Sequence, residues 1–309
     1  MWNKGDFVLH KTKKTDWGIG RVVTANSHDI DVFFVMLPTT VSFLQPAAFL
    51  EAASPEMIDA HPTLKNLSPG VLDGTAEYLP LPGRIKYFQK LFPDGFYDPA
   101  YLTEDPKKGE RHYKVVARDL ATSLLNESVW SELASAGHYA EICQRLAKVE
   151  SKTNLLHSME KIKWQAALKD ALFQKPLSDA LFNDLYGSGT RMSRFDELSR
   201  VLSQVDGCAK WTIATYYGFL LQPESESQTR IFIKPEVTQF AAEACGWNLH
   251  YQSSLNWTTL TWAEQLASNL FMELTQIGLK PRDMIDVQSF IWCIDPKSVV
   301  SQRCHVGAS

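Results

Sequence analysis

The apolar positions of this chain change rhythm along its length. In the first fifty residues they form short runs: Phe7-Val8-Leu9-His10, Gly20-Arg21-Val22-Val23, Ile30-Asp31-Val32-Phe33-Phe34-Val35 and Thr40-Val41-Ser42-Phe43. Their β-branched and aromatic content, with Asn26-Ser27-His28-Asp29 between the second and third, predicts hairpins. Four strands in so short a span predict a small barrel that closes its own edges. From about residue 113 the spacing becomes helical. Val116, Leu120, Leu124, Val129-Trp130 and Leu133 recur near helical spacing, and a second helix runs through Tyr139, Ile142 and Leu146. A third is predicted to start at a Thr153-Asn154 cap and to run through Leu155, Leu156, Met159, Ile162 and Leu168. Ser178 is read as the cap of a fourth that ends at Gly187-Ser188-Gly189.

Between these regimes the chain is rich in proline, with Pro55, Pro62, Pro69, Pro80, Pro82, Pro93, Pro99 and Pro106. Each ring removes a backbone donor and clashes with the preceding turn, so long helices are not expected there. Tyr78, Tyr87, Phe88, Phe92, Phe96, Tyr97 and Tyr101 lie in the same stretch and argue for a packed, irregular connection, not a disordered one. The predicted organisation is a barrel at 1–50, a connector at 51–112 and an all-α domain at 113–309, mainly α overall.

Composition narrows the function. With 45% hydrophobic and 21% charged residues, this is an ordinary globular chain. The opening residues carry no basic segment followed by an apolar run. No window approaches the roughly 18–20 apolar residues of a spanning helix. A cytoplasmic protein with no membrane association is therefore expected. Cys143, Cys208, Cys245, Cys293 and Cys304 form no C-x-x-C pair, so neither a zinc site nor an iron–sulfur cluster is expected, nor any cofactor; free thiols in a reducing compartment are. No glycine-rich phosphate loop, G-x-S-x-G elbow or H-E-x-x-H motif is present. The net charge of −4 argues against tight non-specific gripping of a phosphate backbone. The runs Lys11-Thr12-Lys13-Lys14 and Lys107-Lys108-Gly109-Glu110-Arg111 are candidate local basic patches, although a solvated loop is the more common explanation for either.

Two resemblances add to this reading. Gly5-Asp6-Phe7-Val8-Leu9-His10, followed by Trp17-Gly18-Ile19-Gly20-Arg21-Val22, is similar to the opening of Tudor-like modules. Such modules occur in CarD-type RNA-polymerase-interacting domains and in small bacterial domains attached to helicases. The resemblance implies a small SH3/Tudor-like barrel that binds a protein partner or nucleic acid. A purely structural cap fits the same residues.

The second lies in residues 198–220, which read as a helix, a sharp turn at Asp206-Gly207-Cys208-Ala209, and another helix. Through Gly207, Lys210, Trp211 and Thr212 this resembles the L-P-G-[IV]-G-x-W-T-A hairpin of the helix-hairpin-helix DNA glycosylases, most closely the alkyl-base branch. A glycine turn lets backbone N–H groups at a helix start approach a DNA phosphate. The resemblance covers about residues 200–295 and implies a helical glycosylase-like domain. Its DNA contacts would come from Gly207, Ala209, Lys210, Trp211 and Thr212, with Thr238 in the segment that follows. This chain departs from the family where Asp206 replaces the proline and Ala209 the second glycine; a carboxylate at the turn repels phosphate.

The family's V-D-x-H-V segment, which delivers a catalytic aspartate, corresponds to Ile233-Lys234-Pro235-Glu236-Val237. Lys234 occupies the aspartate position and Glu236 that of the histidine. A lysine cannot stabilise a cationic sugar-like transition state, so the usual mechanism does not carry over. Two roles fit Lys234: a nucleophilic amine for Schiff-base chemistry, or an electrostatic anchor for a phosphate or carboxylate. Asp283 reads as a helix cap. Asp286 lies in an apolar run where a carboxylate needs a partner, and Lys234 is its candidate. Trp211, Tyr216, Tyr217, Trp247, Tyr251, Trp257 and Trp262 could stack on a flipped base, although helical aromatics are more often core. The expected function is DNA binding with a glycosylase-like fold, directed at damaged or modified bases in repair or in defence against foreign DNA. The alternative is a catalytically inactive protein-interaction or scaffold protein. A basic face joining Arg191, Arg194, Lys210 and Lys234 would separate the two.

Overall fold

The N-terminal strands are apolar on both sides, and the sheet they build is covered on both. A computed structural model describes residues 2–105, 109–222 and 229–295; Lys107, Lys108 and Cys304 lie outside these. Strands β1 (Phe7–His10), β2 (Ile19–Ala25), β3 (Ile30–Phe34), β4 (Val41–Phe43) and β5 (Leu50–Ala52) form one antiparallel sheet in the order β4-β3-β2-β1-β5. It curls into a half-barrel. Strand alternation sends Val8, Val22, Val32 and Phe34 into one core and their neighbours Leu9, Val23 and Phe33 into another. Gly20 is required where β2 meets β3, because a Cβ there would come within 2.7 Å of the Val32 side chain. The sequence predicts four strands in a closed barrel. Instead a fifth strand pairs with β1, and β4 and β5 end the strand order as edges only three residues long, short enough to offer little template for further pairing.

The proline-rich stretch is more regular than its composition suggests. Helix α1 (Lys14–Trp17) follows β1 and α2 (Pro46–Phe49) precedes β5. Beyond the sheet come α3 (Pro55–Asp59), α4 (Pro62–Lys65), α5 (Pro69–Leu72), α6 (Leu81–Leu91) and α7 (Pro99–Leu102). Proline opens α2, α3, α4, α5 and α7. There its missing N–H costs nothing and its fixed φ suits the first turn. Leu64, Leu67 and Val71 from this region complete the second core of the sheet.

Two compact units result: Met1–Leu91 with Gln239–Leu249, and Phe92–Thr238 with His250–Cys293. In the first, Leu67 bridges to Trp247, Asn66 donates to the Asn248 carbonyl at 2.7 Å, and the Ser68 hydroxyl donates to Glu243.

The second unit holds α8 (His112–Leu125), α9 (Glu127–Ser135), α10 (Tyr139–Glu150), α11 (Ser158–Lys169), α12 (Ala171–Tyr186), α13 (Arg191–Ser203) and α14 (Trp211–Leu221). After α15 (Pro235–Ala244), which ends in the first unit, it resumes with α16 (Trp257–Gln276) and α17 (Met284–Cys293). Every residue of α14 from Trp211 to Leu220 is buried, as expected of a helix apolar all round. Tyr217 is its central anchor: its hydroxyl donates to the Leu146 carbonyl at 3.0 Å and accepts from Trp164 Nε1 at 3.1 Å.

Several helix boundaries differ from the sequence reading. α11 is capped by His157, with Glu160 returning to the His157 N–H in a capping box, and not by Thr153-Asn154. Ser178 lies inside α12 and accepts from Trp130 Nε1 at 3.0 Å; Asp170 is the cap. On α8 the buried stripe is Lys114, Ala117, Ala121 and Leu125, while Val116 is exposed.

Charge is buried in the helical unit as well. Arg230 passes beneath Gly218, whose added Cβ would meet its guanidinium at 2.8 Å, and pairs with Asp184 at 2.6 Å. Beside it Arg191 grips Glu264 through both oxygens at 2.6 and 2.7 Å. Burial outweighs the Arg191 pairing and pushes the Glu264 carboxyl up to about 7, with Asp184 adding to the rise and Arg230 opposing it. Because this pKa is raised on folding from 4.5, the contribution of Glu264 is fully present below pH 4.5 and lost as pH rises through about 7. Urea unfolding between pH 5 and 7 should therefore show the wild type losing stability relative to Glu264→Gln. The limiting slope is about 1.4 kcal/mol per pH unit. Parallel pH profiles for the two proteins would contradict this.

Candidate functional site

The α13–α14 hairpin turns where the sequence places it. α13 ends at Ser203, and Gly207 takes φ +72, a left-handed conformation that favours glycine. A Cβ on Gly207 would also come within 2.9 Å of the Lys163 side chain, so the turn needs glycine for two separate reasons. Lys210 precedes α14 in extended backbone with no side-chain cap, and it is exposed. Asp206 does not stand as a lone negative charge, because the Lys163 ammonium pairs with it. That bond holds the Asp206 carboxyl below its usual range and the Lys163 amine above its own. The Thr212 hydroxyl donates to Glu160 at 2.8 Å. α11 is thereby tied to the hairpin at two points.

Of the residues assigned to DNA contact by resemblance, Lys210 is exposed and Gly207 and Ala209 are half-buried. Trp211 and Thr212 are buried. Trp211 stacks on Phe195 and donates through Nε1 to the Gln252 carbonyl at 2.9 Å. Thr238 is also buried, and its hydroxyl accepts from the Lys234 N–H at 3.1 Å. Arg191 and Arg194, two members of the basic face considered above, are buried as well. Arg191 is committed to Glu264 and Arg194 donates to the Asp184 carbonyl at 3.0 Å. These four cations do not make one exposed basic face.

Lys234 is positioned by its neighbours in sequence. Arg230, Ile231, Phe232 and Ile233 are all buried, and the Ile233 N–H donates to Thr215 of α14 at 3.0 Å. Pro235 then opens α15, so Lys234 sits at the helix start, half-buried, with Nζ 4.3 Å from the centre of the Trp292 ring. Burial pushes its amine below the usual lysine range, against the pull of Glu160, Glu236 and Glu110.

Asp286 is not the partner of Lys234 that the sequence suggests. It is fully buried and held by the Tyr101 hydroxyl at 2.7 Å, by Arg111 at 2.7 Å, and by the backbone N–H and Nε of Arg282 at 2.8 and 2.9 Å. Asp283 caps α17, accepting the Ile285 N–H at 3.1 Å, and also binds Arg111. This pair of carboxylates serves as a structural node for α17.

The sequence reading missed Lys114. Its amine is 1% exposed, donates to the Ser289 hydroxyl at 2.8 Å and lies 3.6 Å from Glu110. Burial lowers its pKa. The available signal was a lysine three and seven residues from Ala117 and Ala121 on one helix face. Ser289 is fully buried, so this amine–hydroxyl pair is sealed from solvent. Glu110 acts electrostatically on both Lys114 and Lys234, which leaves Lys234 as the accessible amine of the group.

Comparison with known proteins returns no match: no family model, no curated protein and no solved structure corresponds to this chain. Among the described residues no cluster of three or more His, Cys, Asp or Glu side chains could hold a metal ion, and no helix is long and apolar enough to cross a membrane.

The half-buried Lys234 should react with small amine reagents below the pH at which exposed lysines do, about 10.4 for an unperturbed side chain. Peptide mapping of the protein labelled across pH 7–10 is expected to show Lys234 saturating ahead of Lys210. Equal labelling of the two at every pH would mean the amine is not activated.

Proposed function

We propose that the helical unit is a DNA-binding module of helix-hairpin-helix glycosylase character, directed at damaged or modified bases in repair or in defence against foreign DNA. The observation that carries this reading is the α13–α14 hairpin. Its left-handed glycine and the exposed Lys210 offer a phosphate the turn that precedes α14, whose own first residues are buried. The pairing of Asp206 with Lys163 offsets the negative charge that the turn carries. Lys234 stands where the resemblance implies an aspartate, so the module binds without the usual carboxylate chemistry. A partly desolvated amine there serves as an anion anchor or as a Schiff-base nucleophile. On the same reading the half-barrel, with its Tudor-like opening, recruits a protein partner.

One observation favours the scaffold alternative. Arg191 and Arg194 are spent inside the helical unit, which leaves a chain of net charge −4 with less exposed basic surface than a strong DNA binder carries.

Fluorescence anisotropy on duplexes carrying abasic, alkylated, deaminated or hydroxymethylated bases tests the proposal. Borohydride trapping and alkali-induced strand scission are read in parallel. Wild type should bind at low salt, and Lys210→Ala should weaken binding and lower the slope of log K against log salt by about one. An adduct lost in Lys234→Ala would assign the amine a covalent role; binding without an adduct or scission would assign it an anchoring one. No binding to any duplex at low salt would replace the proposal with the scaffold reading.

A further inference from the structure

α13 begins with a guanidinium at the unfavourable end of its dipole. Arg191 is the first residue of the helix, where unpaired N–H groups already place positive charge. Glu264 of α16 compensates, taking the guanidinium through both oxygens at 2.6 and 2.7 Å, with both side chains about nine-tenths buried. This grip requires the carboxylate. A guanidinium carries only donors, so a proton on Glu264 costs the contact its charge and one of its two acceptors. A second acceptor is already in place. Arg191 and Glu264 line one small cavity, about 10 Å³, together with Asp184, Thr215, Gly218 and Arg230. Asp184 holds Arg230 through Oδ2 at 2.6 Å. Its Oδ1 is buried with no hydrogen-bond partner among the described residues, a costly condition for a carboxylate oxygen. The chain between α12 and the Thr190 cap of α13 is only Gly187-Ser188-Gly189. Gly189 takes φ +99, and a short loop of this kind can absorb a change of backbone angle.

We infer that Arg191 exchanges carboxylates: it grips Glu264 while that group is ionised, and passes to Asp184 Oδ1 when Glu264 takes a proton from solvent. The first turn of α13 shifts on the Gly187-Ser188-Gly189 connection as it does so. Phe195, one turn further along α13, stacks on Trp211, so the start of α14 follows. The helical unit thereby carries a proton-operated link to its hairpin turn, whatever that turn binds. The charged groups acting on Glu264 are Arg191 on α13, Arg230 on the segment before α15, and Asp184 on α12. α14 lines the cavity with Ala214, Thr215 and Gly218, none of them titratable. On α17, which also packs against α16, the titratable groups are Cys293 and Asp286, the latter held by Arg111 and Arg282. Loss of water around Glu264 outweighs the two cations and places the exchange at about pH 7.

Trp257 is a built-in reporter, because the Arg191 guanidinium lies 6.0 Å from the centre of its ring, within cation–π range. The test titrates tryptophan emission of the full chain from about pH 5 to about pH 9, with Trp257→Phe subtracted to isolate this ring. The Trp257 signal should change in a single one-proton step centred near 7. Histidines titrate in the same range, and Glu264→Gln separates them: it should hold the low-pH signal throughout, with the step lost. Crystal structures of the wild type at the two ends of the range need no variant to fold. They should show Arg191 within hydrogen-bond distance of Asp184 Oδ1 at low pH and of Glu264 at high pH. A step that persists in Glu264→Gln, or no step in the wild type, would overturn the switch. Arg191 on Glu264 at both extremes would overturn the exchange, and Arg191 turned to solvent at low pH would overturn Asp184 as the receiver.

Discussion

The helical unit depends on one helix that has no solvent face. Because α14 is buried from Trp211 to Leu220, its neighbours must enclose it, and its only route to the surface is through its ends. At the N-terminal end the chain must leave the core within a few residues, and the Asp206–Lys210 turn does this with a left-handed glycine. In mid-helix, Thr215 takes the Ile233 N–H, which fixes the segment that ends in Lys234. The hairpin and the lysine are thus placed by the same buried element. Their relative position follows from core packing, which tolerates little adjustment.

Burial on this scale brings charge inside with it. The Arg230–Asp184 and Arg191–Glu264 pairs, and the Asp286 node with Arg111 and Arg282, each remove ions from water. The desolvation cost of such pairs can equal or exceed their mutual attraction. They are weak sources of stability but strict in geometry, since losing one partner strands the other. Gly218 makes the point locally: with a side chain there, the Arg230 guanidinium could not reach beneath α14. The same commitments explain why the surface is less basic than the residue list implies. Arg191, Arg194, Arg111 and Arg230 are structural cations.

Legibility from sequence followed chemistry. The α13–turn–α14 hairpin could be read because a glycine separates an amphipathic helix from one that is apolar all round, and the Asp283 cap because aspartate before a helix has one dominant role. The α8 face could not, because its buried positions are Lys114, Ala117 and Ala121. Small and charged residues do not register as core, while Val116 and Leu120 do. His157 was missed as a cap because histidine is a rare one, although Glu160 three residues on is an ordinary capping-box signal. The fifth strand, Leu50-Glu51-Ala52, is too short to carry a period of its own. The Lys163–Asp206 pair spans 43 residues of sequence, and no local pattern predicts a contact at that separation.

What Lys234 does is constrained by charge more than by distance. On the proposed reading, an aspartate at this place would stabilise a developing sugar cation; an ammonium would destabilise it, and burial makes the repulsion less screened. A lysine is therefore compatible with chemistry here only as the neutral amine, and burial moves it in that direction. Glu160, Glu236 and Glu110 pull the other way, as does the face of Trp292, which favours a cation. An arriving phosphate would add to the pull and keep the amine charged, whereas an arriving aldehyde would draw on its neutral fraction. On the proposed reading, the same residue thus anchors an intact backbone and becomes a nucleophile only where the base has already been lost.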